Sequence, residues 1–271
     1  IDLGHPFPHV RNRSLNLLAT KVLFRKTQRS AEHVFAEIGG PPLKQFIMDI
    51  SGSYDSFLQL TVQEFEYPRS DLPPNTRFIG PVFSPPSAVP VPEWWGDLDG
   101  TRPVVHVTQG TIDNHDLTRL IGPTITGLAH SDVLVVVSTG GRPINDVGAV
   151  PSNVRVAEFL PYDLLLPLTD VYVTNGGFGG VQYALSRGVP MVVAGDTEDK
   201  PEVAARVSWS GTGINLRSGT PTAEAVRDAV LRVLAEPRFR DRAAEFAESI
   251  AGHSALNSVE TALSDAIAMR A

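Results

Sequence analysis

Two spacings of apolar residues divide the chain. From residue 104 on, short and almost continuous apolar runs at 104–108, 133–138, 154–159, 171–174 and 191–194 alternate with stretches of helical periodicity at 116–129, 178–186 and 202–209. Strands that are apolar on both faces are covered on both faces. The alternation therefore predicts a parallel sheet between two helical layers, built from right-handed βαβ units. Three further helical stretches, 222–235, 239–251 and 255–269, close the chain, with Thr222 and Ser254 placed to cap the first and last of them. Before residue 80 the pattern is sparser. Residues 13–38 carry apolar positions near helical spacing and stop at Gly39-Gly40-Pro41-Pro42, which predicts one or two helices; 46–50, 57–62 and 76–79 read as short β-rich runs. Between these halves five prolines (81, 85, 86, 90 and 92) fall in GPVFSPPSAVPVPEWW. Proline fixes φ and lacks a donor, so this segment reads as a semi-rigid linker.

The expected organisation is thus a partial N-terminal domain (1–80), a Pro-rich linker (81–95) and a C-terminal α/β domain (96–271). A front portion with so few apolar runs would bury a marginal core alone. The chain opens on Ile1-Asp2-Leu3 without an initiator methionine, which leads us to expect the later part of a longer chain.

Composition removes several classes of function. The 271 residues are 42% apolar and 20% charged, as in a folded globular protein. A net charge of −7 with scattered basic residues argues against nucleic acid as a partner. The absence of cysteine excludes disulfides, thiolate nucleophiles and zinc–thiolate sites, and no apolar run approaches a membrane span. A soluble, cytoplasmic protein is expected.

The sharpest local feature is VYVTNGGFGGVQYALSRGVPMVV. A buried strand ending at Thr174 runs through Asn175-Gly176-Gly177-Phe178-Gly179-Gly180 into a helix. Glycines at such a turn let backbone N–H groups approach an anion, and the helix N-terminus adds partial positive charge, so the expected ligand is a phosphate or diphosphate. The bland alternative is a tight turn, which needs fewer glycines. Gln182 stands where the dinucleotide fingerprint requires a third glycine, and no P-loop, G-x-S-x-G or H-E-x-x-H motif occurs. Two more loops follow strands in the same way, Thr108-Gln109-Gly110-Thr111 and Ser138-Thr139-Gly140-Gly141-Arg142; together the three describe a nucleotide cleft at the carboxyl edge of the sheet. Asp199 and Lys200, in the charged turn after the strand at 191–194, could hydrogen-bond sugar hydroxyls or form a solvated turn; beside the glycine turn the first reading is favoured. Phe159 either stacks on a base or belongs to the core. Of the histidines, His106 lies within a strand and reads as core, whereas His115, His130 and His253 read as solvent-facing. None has a carboxylate at a spacing that would make a base–orienter pair.

Taken in order, these residues resemble the donor-binding half of GT-B glycosyltransferases, in the family that includes bacterial macrolide and plant secondary-product enzymes. The likeness runs from Arg77 to the C-terminus, and FEYPRSDLPPNTRFIGPV before it resembles the end of the acceptor-binding domain. It implies a Rossmann-like parallel sheet with helices on both faces. It further implies that Phe159 stands in place of a base-stacking Trp, with Leu160 offering backbone groups to the base. The diphosphate motif corresponds to Thr174, Asn175 and Gly177, with Asn175 in place of the usual His. Gly179 and Gly180 replace an Asn-Ser pair, and Tyr183 stands at the ribose-binding Glu. Asp199-Lys200 matches the sugar-binding Asp-Gln pair, and Thr111 matches the hydroxyl residue near the phosphates. With Gly110, Arg142, Gly176 and Phe178 these make up the expected donor site. Losing the imidazole and the carboxylate removes hydrogen bonds worth roughly 1.5–3 kcal/mol each, which extra backbone N–H groups and the Lys200 ammonium could offset, so donor binding is expected to survive with altered sugar preference.

What the resemblance implies about function is inverting transfer of a hexose or deoxyhexose from a UDP- or dTDP-sugar to a hydroxyl or amine of an apolar small molecule. A non-catalytic nucleotide-sugar-binding module and a sugar-nucleotide epimerase remain as alternatives. The nucleotide sugar is a co-substrate, no cofactor or metal is implied, and no position matches the family's catalytic histidine, which would precede Ile1.

Overall fold

The computed structural model describes residues 8–269. Two compact units emerge. One comprises the described residues of Ile1–Gln59, Tyr67–Arg77 and Val259–Ala271; the other comprises Leu60–Glu66 and Phe78–Ser258. In the first, helix α1 (Pro8–Leu18) continues through a π-helical turn at Ala19–Leu23 into α2 (Arg25–Glu37). Residues 46–50, expected as a β-rich run, form instead part of the 3-10 helix Ile47–Ser53. The apolar residues there lie beside Ser51-Gly52-Ser53, which favours turning, and no neighbouring strand offers a ladder. A two-stranded sheet, β1 (Phe57–Gln59) and β2 (Thr76–Phe78), occupies the other two expected runs in shortened form.

The second unit is a six-stranded sheet made of β3 (Val104–Thr108), β4 (Leu134–Ser138), β5 (Val154–Ala157), β6 (Val171–Thr174), β7 (Met191–Val193) and β8 (Gly213–Asn215). Its order is β5-β4-β3-β6-β7-β8, and every pairing is parallel. This is the doubly wound arrangement, with connections leaving the central pair in opposite directions. Five of these strands match apolar runs in the sequence. The edge strand β8 does not, because three residues beginning with glycine carry no hydrophobic pattern.

Helix α3 (Ile121–Leu128) and α7 (Ala223–Ala235) cover one face around Val105, Val107, Val135, Val137, Val171 and Val173. On the other face, α5 (Phe178–Ser186), α6 (Lys200–Ser210) and α8 (Pro237–Ala251) surround Tyr172, Met191 and Val193. A short helix, α4 (Tyr162–Leu165), follows β5, and α9 (Ala255–Ala268) ends the described chain. Alternation along each strand sends successive residues to opposite layers, which is why strands that are apolar throughout suit this position. In α5 the buried residues Val181, Gln182, Ala184 and Leu185 fall on one helical face. Thr222 accepts from the N–H of Ala225 and caps α7 as its position predicts. The Pro-rich segment carries no strand, and its last residues form the 3-10 helix Glu93–Asp97, whose Trp94 and Trp95 rest on Val104, Leu134, Val136 and Leu165. Among the described residues no helix is long and apolar enough to cross a membrane.

His106 lies wholly buried in β3, as the sequence suggests. Its ring stacks on Tyr172 with centroids 5.3 Å apart, Nδ1 lies 2.9 Å from the carbonyl oxygen of Val136, and Nε2 has no partner. Burial holds its pKa down to about 4, against an ordinary 6.5, so the ring is neutral in the fold. The unfolded chain takes up a proton below about pH 6.5 that the folded chain refuses until about pH 4. Stability should therefore fall as pH drops through that window, with His106 contributing up to roughly 3 kcal/mol. Urea denaturation of His106→Phe from pH 7 to pH 4 should show a correspondingly shallower pH dependence than the parent.

Candidate functional site at the carboxyl edge of the sheet

The two central strands part company at their carboxyl ends. β3 leads toward β4 and β6 toward β7 on the opposite side, so the loops after Thr108 and Thr174 diverge and open a crevice. Asn175 bridges them: its Nδ2 donates to the carbonyl oxygen of Gln109 at 2.5 Å. The Gln109 side chain turns the other way. Its Oε1 accepts from the backbone N–H groups of Leu120 and Ile121 at 3.2 and 3.1 Å, and its Nε2 donates to the carbonyl of Asp116 at 2.9 Å. The start of α3 thus receives its acceptor from within the protein.

The start of α5 does not. Its N-cap is Gly177, which supplies no side-chain acceptor for the first-turn N–H groups of Phe178, Gly179 and Gly180. Gly176 shapes this turn. Its φ of +89° lies in the left-handed region, and a Cβ there would stand 2.7 Å from Val193 Cγ1. A Cβ on Gly179 would meet nothing within 4 Å, so this glycine borders open space. The Asn175 amide oxygen lies between the two loops, 3.9 Å from a Cβ built on Gly110 and 4.0 Å from one built on Gly177.

A third loop joins through Asn114. Its Nδ2 lies 3.1, 3.0 and 3.0 Å from the carbonyl oxygens of Gly110, Thr139 and Gly140, tying the β3 loop to the β4 loop. Next to Gly140, Gly141 lies so close to Phe159 that a Cβ would come within 2.8 Å of its ring. Phe159 is 49% exposed and offers a free aromatic face after β5. Of the two readings of this residue, core is the one its exposure disfavours. Arg142 follows, its guanidinium paired with Asp146 at 3.0 Å.

The turn after β7 carries a network of charge. Lys200 is 4% exposed; its Nζ donates to Thr197 Oγ1 at 3.2 Å, pairs with Glu198, and lies 3.5 Å from Asp113 Oδ2. Thr197 Oγ1 donates to Asp113 Oδ2 at 2.5 Å, and Arg119 reaches Asp196 at 2.5 Å and Asp113 at 3.8 Å. The Thr197 hydroxyl, followed by the Lys200 and Arg119 charges, holds the Asp113 carboxyl below its ordinary value against the opposing effect of burial. Asp199 is exposed at the N-cap of α6 and makes no capping bond.

The fold gathers Gly110, Asn175, Gly176 and Gly177 at one point, with Gly179 and Gly180 opening α5 behind them. Other expected site residues face inward. Leu160 is buried with Val104 and Val136, and Thr174 closes β6 with its hydroxyl accepting from Gly176 N–H. Phe178 packs on the α5 layer of the core, and Tyr183 packs on Phe83 at 4.7 Å and on Tyr162 at 6.2 Å between ring centroids. Thr111 is exposed beside Gly110. Gln182, which breaks the dinucleotide fingerprint, is buried and accepts from Thr61 Oγ1 at 3.0 Å. Asp113, Asn114 and Arg119 escaped the sequence reading, and Asp196 entered it only as the first residue of the charged turn 196–200. Their only local signal is polarity near a glycine loop, which does not say which carbonyl or cation each will meet.

The profile of the erythromycin biosynthesis protein CIII-like C-terminal domain matches residues 123–265. The chain belongs to this glycosyltransferase family. Among curated relatives, 4'-demethylrebeccamycin synthase of Lentzea aerocolonigenes is 48% identical over 249 residues, covering 91% of this chain and 58% of that protein. UDP-glycosyltransferase 2 of Phaeomoniella chlamydospora is 40% identical over 259 residues, covering 91% and 57%. The chain therefore spans less than two thirds of the length of these relatives. Its fold is that of GT-B glycosyltransferases: spinosyn forosaminyltransferase SpnP superposes with a TM-score of 0.73 at 23% identity, over 89% of this chain and 61% of the other. Glycosyltransferase VinC, solved in complex with dTDP, gives 0.59 at 25% identity over 77% and 51%.

Asn114→Ala would leave carbonyl oxygens of two loops without their shared donor. A loss of about 2 kcal/mol in unfolding free energy is expected from urea denaturation.

Proposed function

We propose that this chain supplies the nucleotide-sugar-binding half of an inverting glycosyltransferase. The transferase takes a hexose or deoxyhexose from a UDP- or dTDP-sugar and attaches it to a hydroxyl or amine of an apolar small molecule. The observation that carries this reading is the uncapped N-terminus of α5 at the parting of the two central strands, with Asn175 and Gly110 beside it. A diphosphate is the group such a place suits. As the bond from the anomeric carbon to the diphosphate breaks, negative charge grows on the departing oxygen. N–H groups already oriented by the helix need no rearrangement to receive it.

The remaining parts fit around that anchor. The exposed face of Phe159 stacks on the base, and the free carboxylate of Asp199 accepts from sugar hydroxyls. Tyr183 is held among aromatic rings, so the ribose finds no carboxylate at that position and relies on backbone groups of the surrounding loops. The relatives' names support this chemistry, one being called a UDP-glycosyltransferase and a structural neighbour having been solved with dTDP.

Calorimetric titration with UDP, dTDP and NAD tests the proposal. Binding of UDP or dTDP without NAD is expected, and absence of binding by either diphosphate would overturn it. Gly179→Val sharpens the test. The valine side chain has room in the empty fold, so the melting temperature should hardly change, while its bulk over the α5 N-terminus should weaken UDP or dTDP binding by about tenfold or more.

A further inference from the structure

Resting on the donor-binding reading above, we infer that Lys200 is not a ligand of the donor sugar but the buried centre of an ionic clamp, closed by Asp113, that sets the position of the Asp199 carboxylate. Asp113 and Arg119 are then positioning residues for sugar recognition.

The geometry of the turn from Gly195 to Lys200 carries this. Nearly every residue in it is tied to something other than a ligand. Gly195 lies so close to the Asn175 carbonyl that a Cβ would fall 2.0 Å from its oxygen. Asp196 is held by Arg119, and Thr197 donates to Asp113. Glu198 takes a φ of +55°, a left-handed conformation that a glutamate adopts only when its surroundings impose it, and its carboxylate pairs with Lys200. The Lys200 ammonium meets Thr197, Glu198 and Asp113, and its own backbone N–H donates to the Thr197 carbonyl. The ammonium thus hydrogen-bonds Thr197 and Glu198, forms an ion pair with Asp113 at 3.5 Å, and at 4% exposed is drawn into the protein away from an incoming sugar hydroxyl.

Asp199 alone stands apart: exposed, at the start of α6 and without a capping bond. The clamp joins the β3 loop, which carries Asp113 and Arg119, to the turn that carries Asp199. It therefore couples that carboxylate to the loop bonded to Asn175 through Gln109. Removing one partner of a buried charge leaves the other uncompensated, so the turn should rearrange when Asp113 loses its charge.

Binding of UDP and of UDP-glucose to Asp113→Asn, Lys200→Met and the double variant distinguishes the roles, with melting temperatures measured in parallel. The clamp predicts that each single variant binds UDP as the parent does and UDP-glucose about tenfold more weakly, and that the double variant is no worse than either single. Should Asp113→Asn fail to fold, Thr197→Val removes only the bridging hydroxyl and should weaken UDP-glucose binding in the same selective way. Loss in Lys200→Met with neither Asp113→Asn nor Thr197→Val affected would make Lys200 a direct sugar ligand and overturn the inference. Equal loss for UDP and UDP-glucose, or no loss in any variant, would overturn it as well. If the parent binds neither ligand, the donor-binding reading itself fails and the clamp falls with it.

Discussion

The bond from Asn175 to the Gln109 carbonyl is the constraint on which the carboxyl edge of this sheet depends. Two neighbouring parallel strands whose connections run in opposite directions would otherwise leave their loops unsupported. Gln109 resolves this by serving two structures at once. Its backbone receives Asn175 from β6, and its side chain supplies the acceptor that the start of α3 lacks. One helix N-terminus is thereby filled from within, and the other, at Gly177, remains available. The two helix starts at this edge therefore differ: α3 is met by Gln109, whereas α5 carries no side-chain cap.

Around that point the protein uses two kinds of connection. Amide side chains hold backbone carbonyls, as Asn114 does for three residues of two loops, and charged side chains hold the more exposed turn before α6. Neutral amides suit the buried position because they satisfy carbonyls without bringing a charge out of water. The charged turn lies nearer solvent, and its single deeply buried cation is matched by carboxylates. Below the edge, the same strand that leads into the crevice carries neutral His106 among tyrosine rings. Stiffness at the edge thus comes from bonds, whereas stiffness beneath it comes from packing.

The chain belongs to a glycosyltransferase family, yet it departs at several positions from the residues that its resemblance to that family implies. Asn175 occupies the position of a histidine, and the structure gives it a scaffolding bond that a neutral amide makes well. Tyr183 occupies the position of a ribose carboxylate and is engaged with Phe83 and Tyr162. Both replacements put a neutral side chain, already engaged within the protein, where the resemblance implies a titratable one.

Sequence alone determined the layers. Continuous valine-rich runs at 104–108 and 171–174 suit strands buried on both faces, and Gly176 and Gly177 after Asn175 mark the turn from strand to helix. The order of the motifs determined the family. What tertiary structure decided was which loops meet and which polar groups are already taken. The strand order that brings Thr108 beside Thr174 is set by chain connections far apart in sequence, so the pairing of Gln109 with Asn175 leaves no local trace. Nor does sequence tell a lysine that points to a ligand from one that points inward. Lys200 reads as a donor to sugar, whereas in the fold it is buried beside Asp113 and Glu198. Charge is a property of the residue, but its availability is a property of its neighbours.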